Sequence, residues 1–162
     1  MKYAYIEMLS PVGKLKLVAH DQALLAILWE NENPKRVPLF TSVLDENHPV
    51  LLKVQQQLNE YFNGQRKIFD IPLEFNGTDF QMKVWQALLT IPYGEIRSYK
   101  EIAEQIGNVK AVRAVGAANG KNPISIIAPC HRVVGANGHL VGFAGGLDHK
   151  ETLLKIEISD KN

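Results

Sequence analysis

A chain of 162 residues, 46% hydrophobic and with a net charge of +1, is long enough to bury a core without staples, and no global charge announces a polyanionic partner. Its single cysteine excludes an internal disulfide and the usual multi-cysteine zinc sites, its five histidines lack metal-ligand spacing, and no apolar run approaches the ~20 residues of a membrane span. The first eight residues alternate polar and apolar and carry Glu7, unlike an export signal, so with the lone cysteine the expectation is a reducing, cytoplasmic setting.

In chain order, residues 2–9, 14–20 and 24–30 read as strands, separated by Ser10-Pro11-Val12-Gly13 and Asp21-Gln22 turns. Residues 31–38 are polar, hold two prolines and predict a loop. Asn47 is placed to cap a helix carrying Leu51, Val54, Leu58 and Tyr61 or Phe62, which Asn63-Gly64 ends. A short strand is expected at 67–71 and a lobe boundary at 72–77. Thr78-Asp79-Phe80-Gln81 is a capping box opening a helix with Phe80, Val84 and Leu88 on one face, stopped by Ile91-Pro92-Tyr93-Gly94. Ser98-Tyr99-Lys100-Glu101 is a second capping box, Gly107-Asn108 breaks its helix, and another begins near Val109. That is a helix-turn-helix pattern. The last of these helices is nearly bare: Ala111, Ala114, Gly116, Ala117 and Ala118 surround Arg113. Close helix packing explains this, and so does approach to a groove as narrow as the ~6 Å DNA minor groove. After Asn122-Pro123 comes an apolar run to Val134, then five glycines within 135–146, then a helix marked by Asp148 and Glu151 with Leu153, Leu154 and Ile156 inward.

Charge is concentrated in the middle of the chain. Residues 80–132 hold seven Lys or Arg against three Glu, which marks a basic face. Cys130 lies in the same region, between Pro129 and His131. A lone cysteine is commonly a small buried hydrophobe. Neighbours on a regular strand face opposite ways, so only a turn or short helix after Pro129 would bring His131 to the thiol. A thiol with a pKa of roughly 8.5 needs such a base, and the base needs a carboxylate to orient it. Glu7, Glu74, Glu151 and Glu157 are all available on sequence alone.

Pro129-Cys130-His131-Arg132-Val133 resembles the signature of the O6-alkylguanine-DNA alkyltransferases (methylated-DNA–protein-cysteine methyltransferases). Arg113-Ala114-Val115-Gly116, Asn122-Pro123, Val141-Gly142-Phe143-Ala144-Gly145-Gly146-Leu147, Phe80-Gln81-x-x-Val84-Trp85 and Ile91-Pro92-Tyr93-Gly94 follow the family's order and spacing. The resemblance is dense over 80–157 and over 1–75 rests on a strand-then-helix layout. It implies an α+β fold. An N-terminal lobe (1–75, ribonuclease-H-like) with a small antiparallel sheet and a helix precedes a mostly helical lobe (76–162) with the helix-turn-helix. It implies direct repair of O6-alkylguanine, and of O4-alkylthymine, in double-stranded DNA by a monomer with neither metal nor cofactor, and no membrane. Each molecule would act once, after flipping the base through the minor groove.

By resemblance, Cys130 is the alkyl acceptor and His131 its base through a water, with Glu157 orienting His131. Tyr99 is the proton donor to the leaving guanine, and Asn122 a structural bracket. Arg113 is the finger filling the vacated duplex, with Lys110, Ala111, Ala114, Ala118 and Arg132 on the DNA side. Val133, Phe143, Ala144 and Gly145 line the pocket, where the carbonyls of Cys130 and Val133 hold the guanine amino group and the Ala144 amide bonds its oxygen. Two positions depart from the family: many members carry a hydroxyl residue where Ala144 stands, and some a tyrosine at Phe143. Rival readings are a lesion-flagging protein that does not repair, a cysteine hydrolase and a helix-turn-helix regulator.

Overall fold

The computed structural model describes residues 3–37, 41–138 and 142–161; Lys2, Pro38 and Val141, assigned above to a strand, a loop and a motif, lie outside them. Three antiparallel strands, β1 (Tyr3–Ser10), β2 (Gly13–Ala19) and β3 (Leu24–Leu28), form the sheet, in the order β3-β2-β1. The β1–β2 turn closes on Gly13, whose φ of +87° suits a residue without a Cβ. The structure adds a strand, β4 (Ser42–Leu44), which pairs parallel to β1 at the sheet's edge.

Alternation puts Ala4, Ile6 and Met8 of β1 on one face. Helix α1 (Pro49–Phe62) covers it with Leu51, Val54, Leu58 and Tyr61. Its N-cap is His48, not Asn47, because Pro49 sits in the first turn and the His48 ring accepts from the Leu51 amide. No strand forms at 67–71. The chain makes only a single bridge just beyond it, at Leu73, where the Leu24 amide donates to the Pro72 carbonyl. The free edge of β3 is then covered from two directions, because the Ile27 amide donates to the Pro123 carbonyl.

In the second half, α2 (Asp79–Leu88) and α3 (Tyr99–Gln105) both start with the reciprocal capping boxes expected at Thr78 and Ser98. Helix α4 (Val112–Gly120) starts later than expected, after a turn through 109–111. A second core joins Val84, Trp85 and Leu88 to Ile102, Val115 and Ala118, and the Trp85 indole donates to the Ala118 carbonyl at 2.8 Å. The chain from Pro123 onward belongs to both cores: Ile124, Ile126 and Ile127 enter the first, Cys130 and Val133 the second. Two-residue strands β5 (Arg97–Ser98) and β6 (Val133–Val134) pair in parallel, and α5 (Leu147–Lys161) ends the chain's described elements. The buried row of α5 is Lys150, Leu153 and Glu157 rather than Leu153, Leu154 and Ile156; two charges point inward.

Candidate active site

The segment before Cys130 is folded by tight local bonds. Asn122, fully buried, accepts from the Ile124 amide at 3.0 Å and donates to the Ala128 carbonyl at 2.8 Å, closing residues 122–128 into a loop. Inside it the Ile127 amide reaches the Ser125 carbonyl at 2.9 Å, a γ-turn with Ile126 at φ +76°. A β-branched residue in that region is strained by ~1–3 kcal/mol and persists only where its surroundings dictate it. Pro129 makes a second, relaxed γ-turn, and residues 130–132 then wind into one 3-10 turn. With three residues per turn, Cys130 and His131 are no longer related by the strict alternation of a strand.

Of the four candidate carboxylates, Glu157 serves His131: the His131 Nε2 and Glu157 Oε2 lie 2.6 Å apart with both side chains buried. Glu74 pairs with His20 and Glu151 with Lys155 instead. The Glu157 carboxylate also accepts from the Tyr61 hydroxyl at 2.6 Å, from the Gly94 amide at 3.3 Å, and from two nitrogens of Arg132 at 2.8 and 3.1 Å. Burial pushes this acid up, but the His131 and Arg132 bonds outweigh it and hold it at about 2. Burial holds the His131 imidazole below its ordinary value, so it is neutral at pH 7. Nε2 then carries the proton shared with Glu157. Nδ1 is buried and unpartnered among the described residues, a lone pair ready to accept.

The thiol itself is 3% exposed, and burial pushes it up. The polar side chains of Asn122 and Ser125, with the positive charges of Arg36 and Lys150, act in the opposite sense. Arg36 reaches this region by donating to the Gly120 and Asn122 carbonyls at 3.2 and 2.9 Å. Pairing of β5 with β6 sets Tyr99 beside the Cys130 turn. Burial raises the Tyr99 hydroxyl, while a hydrogen bond with Asn119 partly offsets this, so the phenol keeps its proton at neutral pH. Asn119 also donates to the Cys130 carbonyl at 3.4 Å.

The outer face of α4 carries Arg113, Ala114 and Ala117, all exposed, flanked by exposed Lys110 and Lys121 and half-buried Ala111. Two residues expected on the DNA side are elsewhere. Ala118 is buried against α2, because i+4 from Ala114 is occupied by the packed stripe of Val115, Ala118 and Asn119. Arg132 is buried on Glu157 and the Ile91 carbonyl, 2.7 Å away, because its 3-10 turn aims it inward. The bare helix thus uses its small residues both for close packing and for a slim outer face. In the pocket wall, Phe143 is half-buried and packs edge-on to Trp29 at 5.4 Å, Ala144 is exposed, and Gly145 lies against the Trp29 ring. Val133 is buried and its carbonyl accepts from the Lys150 ammonium at 2.6 Å, leaving one lone pair. Tyr61, Asn119, Ser125 and Lys150 carry no motif that singles them out in the sequence. A carboxylate and a lysine seven apart on the last helix were the one available signal. Among the described residues no three His, Cys, Asp or Glu side chains are grouped to hold a metal, and no helix is long and apolar enough to cross a membrane.

Comparison with known proteins gives concordant matches. Residues 79–159 match the profile of the 6-O-methylguanine DNA methyltransferase DNA-binding domain, and residues 1–75 that of its ribonuclease-like domain. A methylated-DNA–protein-cysteine methyltransferase of Mycobacterium leprae is 51% identical over 150 residues, 91% of this chain and 88% of that protein. One from Methanosarcina acetivorans is 49% identical over 157 residues, covering 97% and 98%. The crystal structure of Mycobacterium tuberculosis OGT in complex with DNA superposes with a TM-score of 0.89 at 46% identity, over 99% of this chain and 94% of that one.

Proposed function

The chain belongs to the 6-O-methylguanine DNA methyltransferase family, whose activity is DNA repair by alkyl transfer to a cysteine, and from that premise we propose that Cys130 is the acceptor and His131, Glu157 and Tyr99 move the protons. The observation that carries this is the pairing of one buried imidazole nitrogen with Glu157 while the other, on the residue that follows the chain's single cysteine, has no partner among the described residues. Because the thiol is raised by burial, the thiolate must be made during the reaction. A water passes the thiol proton to His131 Nδ1, and Glu157 stabilises the resulting imidazolium. The sulfur attacks the alkyl carbon in line. A C–S bond forms, the C–O bond breaks, and the electron pair leaves with the guanine. Tyr99 gives its proton to the base's ring nitrogen as guanine leaves. The phenolate regains a proton and the imidazolium loses one when the site reopens. The thioether is a poor leaving group, so each molecule acts once.

Reaching a stacked base requires extrusion, which costs a few kcal/mol and costs less for a damaged pair. The exposed Arg113 on the thin outer face of α4 is suited to fill the gap from the minor-groove side, with Lys110 and Lys121 on the phosphates. Inside the pocket, Asn119 and Lys150 orient the Cys130 and Val133 carbonyls that accept from the guanine amino group, and Phe143, Ala144 and Gly145 close the wall. The substrate is O6-alkylguanine and, on the same pocket logic, O4-alkylthymine in duplex DNA, met by a monomer. The test is intact-protein mass after incubation with a duplex carrying one O6-methylguanine. A gain of one methyl on Cys130, absent in Cys130→Ser, is expected. Tight binding to the modified duplex with no gain would favour lesion flagging instead.

A further inference from the structure

One indole from the N-terminal lobe lies against both the loop before Cys130 and the turn through 143–146. Trp29 directly follows β3 and is 6% exposed. Its Nε1 donates at 3.2 Å to the hydroxyl of fully buried Ser125, inside the 122–128 loop that leads into the Cys130 turn. Against its ring lies the backbone of Gly145. A Cβ added there would lie 2.6 to 2.8 Å from Cε2, Cδ2 and Cζ2, closer than packed atoms approach. A tight turn keeps Gly145 in place, since the Gly146 amide donates to the Phe143 carbonyl at 2.9 Å and α5 starts at the next residue. Phe143 meets the indole edge-on at 5.4 Å and packs on both cores, the one that holds Trp29 and the one that holds Cys130. Its ring is also 5.9 Å from the Lys150 ammonium that binds the Val133 carbonyl.

We propose that Trp29 is a positioning residue that sets the size of the alkyl group this chain accepts. The inference rests on Cys130 being the acceptor and on residues 143–145 walling its pocket. An indole is a flat, rigid body, with no rotatable bond between the N–H that reaches Ser125 and the ring atoms that carry Gly145. The two segments are therefore held at a spacing fixed by the ring. Neither contact has slack. Gly145 has no side chain to turn aside, and the 122–128 loop is tied by Asn122 to the Ala128 carbonyl and by the Pro123 carbonyl to the Ile27 amide of β3. Trp29 follows that same strand, so the sheet of the N-terminal lobe carries the spacer. A longer alkyl group needs the wall to move away from the sulfur, and the indole behind Gly145 stops it. In such a pocket one methylene is worth about 10–200-fold in rate.

Trp29→Ala, Trp29→Phe, Gly145→Ala and the double variant of Trp29→Ala with Gly145→Ala are made in the full chain, with thermal melting to confirm folding. Alkyl gain is followed by intact mass against duplexes carrying one O6-methylguanine or one O6-butylguanine, and the rates are compared as the butyl-to-methyl ratio. A general loss of stability slows both transfers alike and leaves that ratio where it was. Trp29→Ala is expected to raise the ratio about tenfold, the lower end of what one methylene is worth. Trp29→Phe, with a narrower ring and no N–H for Ser125, raises it by less. Gly145→Ala lifts the wall off the indole towards the sulfur and lowers the ratio, and Trp29→Ala in the same chain reverses that fall. A ratio unchanged or lowered in folded Trp29→Ala, or a Gly145→Ala fall that persists in the double variant, would overturn the proposal. Should Trp29→Ala fail to fold, the Trp29→Phe ratio decides in the same way. Should the unaltered chain gain neither group, the acceptor reading fails and takes the spacer with it; methyl gain with an unmoved ratio removes the spacer alone.

Discussion

Arg132 places every edge of its guanidinium inside the protein, on both oxygens of Glu157 and on the Ile91 carbonyl, with the Tyr93 ring 5.7 Å away. Arg113 is exposed on α4. Nothing in their neighbouring residues separates two arginines in a basic segment, and by sequence both belong on the DNA. What separates them is backbone: a 3-10 turn aims one inward and the outer face of a helix aims the other outward. Their substitutions are expected to part accordingly. Arg132→Ala leaves Glu157 without its bidentate partner and costs about 3–5 kcal/mol of stability by urea titration, as breaking a buried pair does. Arg113→Ala leaves the urea midpoint unchanged and weakens binding to the O6-methylguanine duplex, with about one phosphate's worth lost from the salt dependence if it also contacts the backbone. Cys130 and His131 drew attention by residue type, a thiol beside an imidazole, whereas Tyr99 was singled out only by the family resemblance. Asn119 and Ser125 were not, because a buried amide or hydroxyl looks like any other until its partner is seen.

At the scale of elements, the capping boxes of α2 and α3 were readable because each is a local reciprocal contact between residues three apart. The expected strand at 67–71 failed because nothing pairs with it; its apolar residues Phe69 and Ile71 pack on the first core from a loop. Helix α5 hid its buried face because Lys150 and Glu157 are read as solvent residues in any hydropathy pattern. Helix α4 offers the sharpest test, since the same residue type serves two faces. Ala114→Leu adds bulk to the exposed side, so melting should be unchanged while duplex binding and the methyl-transfer rate fall. Ala118→Leu adds bulk where Trp85 holds the helix on α2, so it should cost about 1–3 kcal/mol by overpacking. Equal loss of stability in both variants would mean that the outer face is also packed.

Across the whole molecule, Glu157 is where the two halves meet. Tyr61 of α1 in the first half, the Gly94 amide after α2, and His131 and Arg132 of the reactive turn all converge on this carboxylate from α5. The two-lobe plan suggested by the 72–77 boundary is therefore crossed here, by the Ile124–β3 bridge, by Arg36 on the Gly120 and Asn122 carbonyls and by Trp29 on Ser125, and none of these crossings has a sequence signal because each joins residues far apart in the chain. The charge state of this junction sets how stability depends on pH. His131 is buried neutral with its folded value below 6.5, so its contribution is complete above pH 6.5 and is lost as pH falls below that. Glu157 is depressed from 4.5 to about 2, so its contribution is present above pH 4.5 and is lost between there and pH 2. Melting temperature should thus fall in two stages on acidification, the first starting near pH 6.5 and the second below pH 4.5. Glu157→Gln should melt lower at pH 7, because Arg132 keeps its charge in the interior without a counter-ion. It should also lose the second stage, since an amide does not titrate, so its curve approaches that of the unaltered chain as the pH nears 2. Parallel curves for the two proteins from pH 7 to pH 2 would show that Glu157 is not the group coupling the halves to acid, and would take with them its assignment as the anion that orients His131.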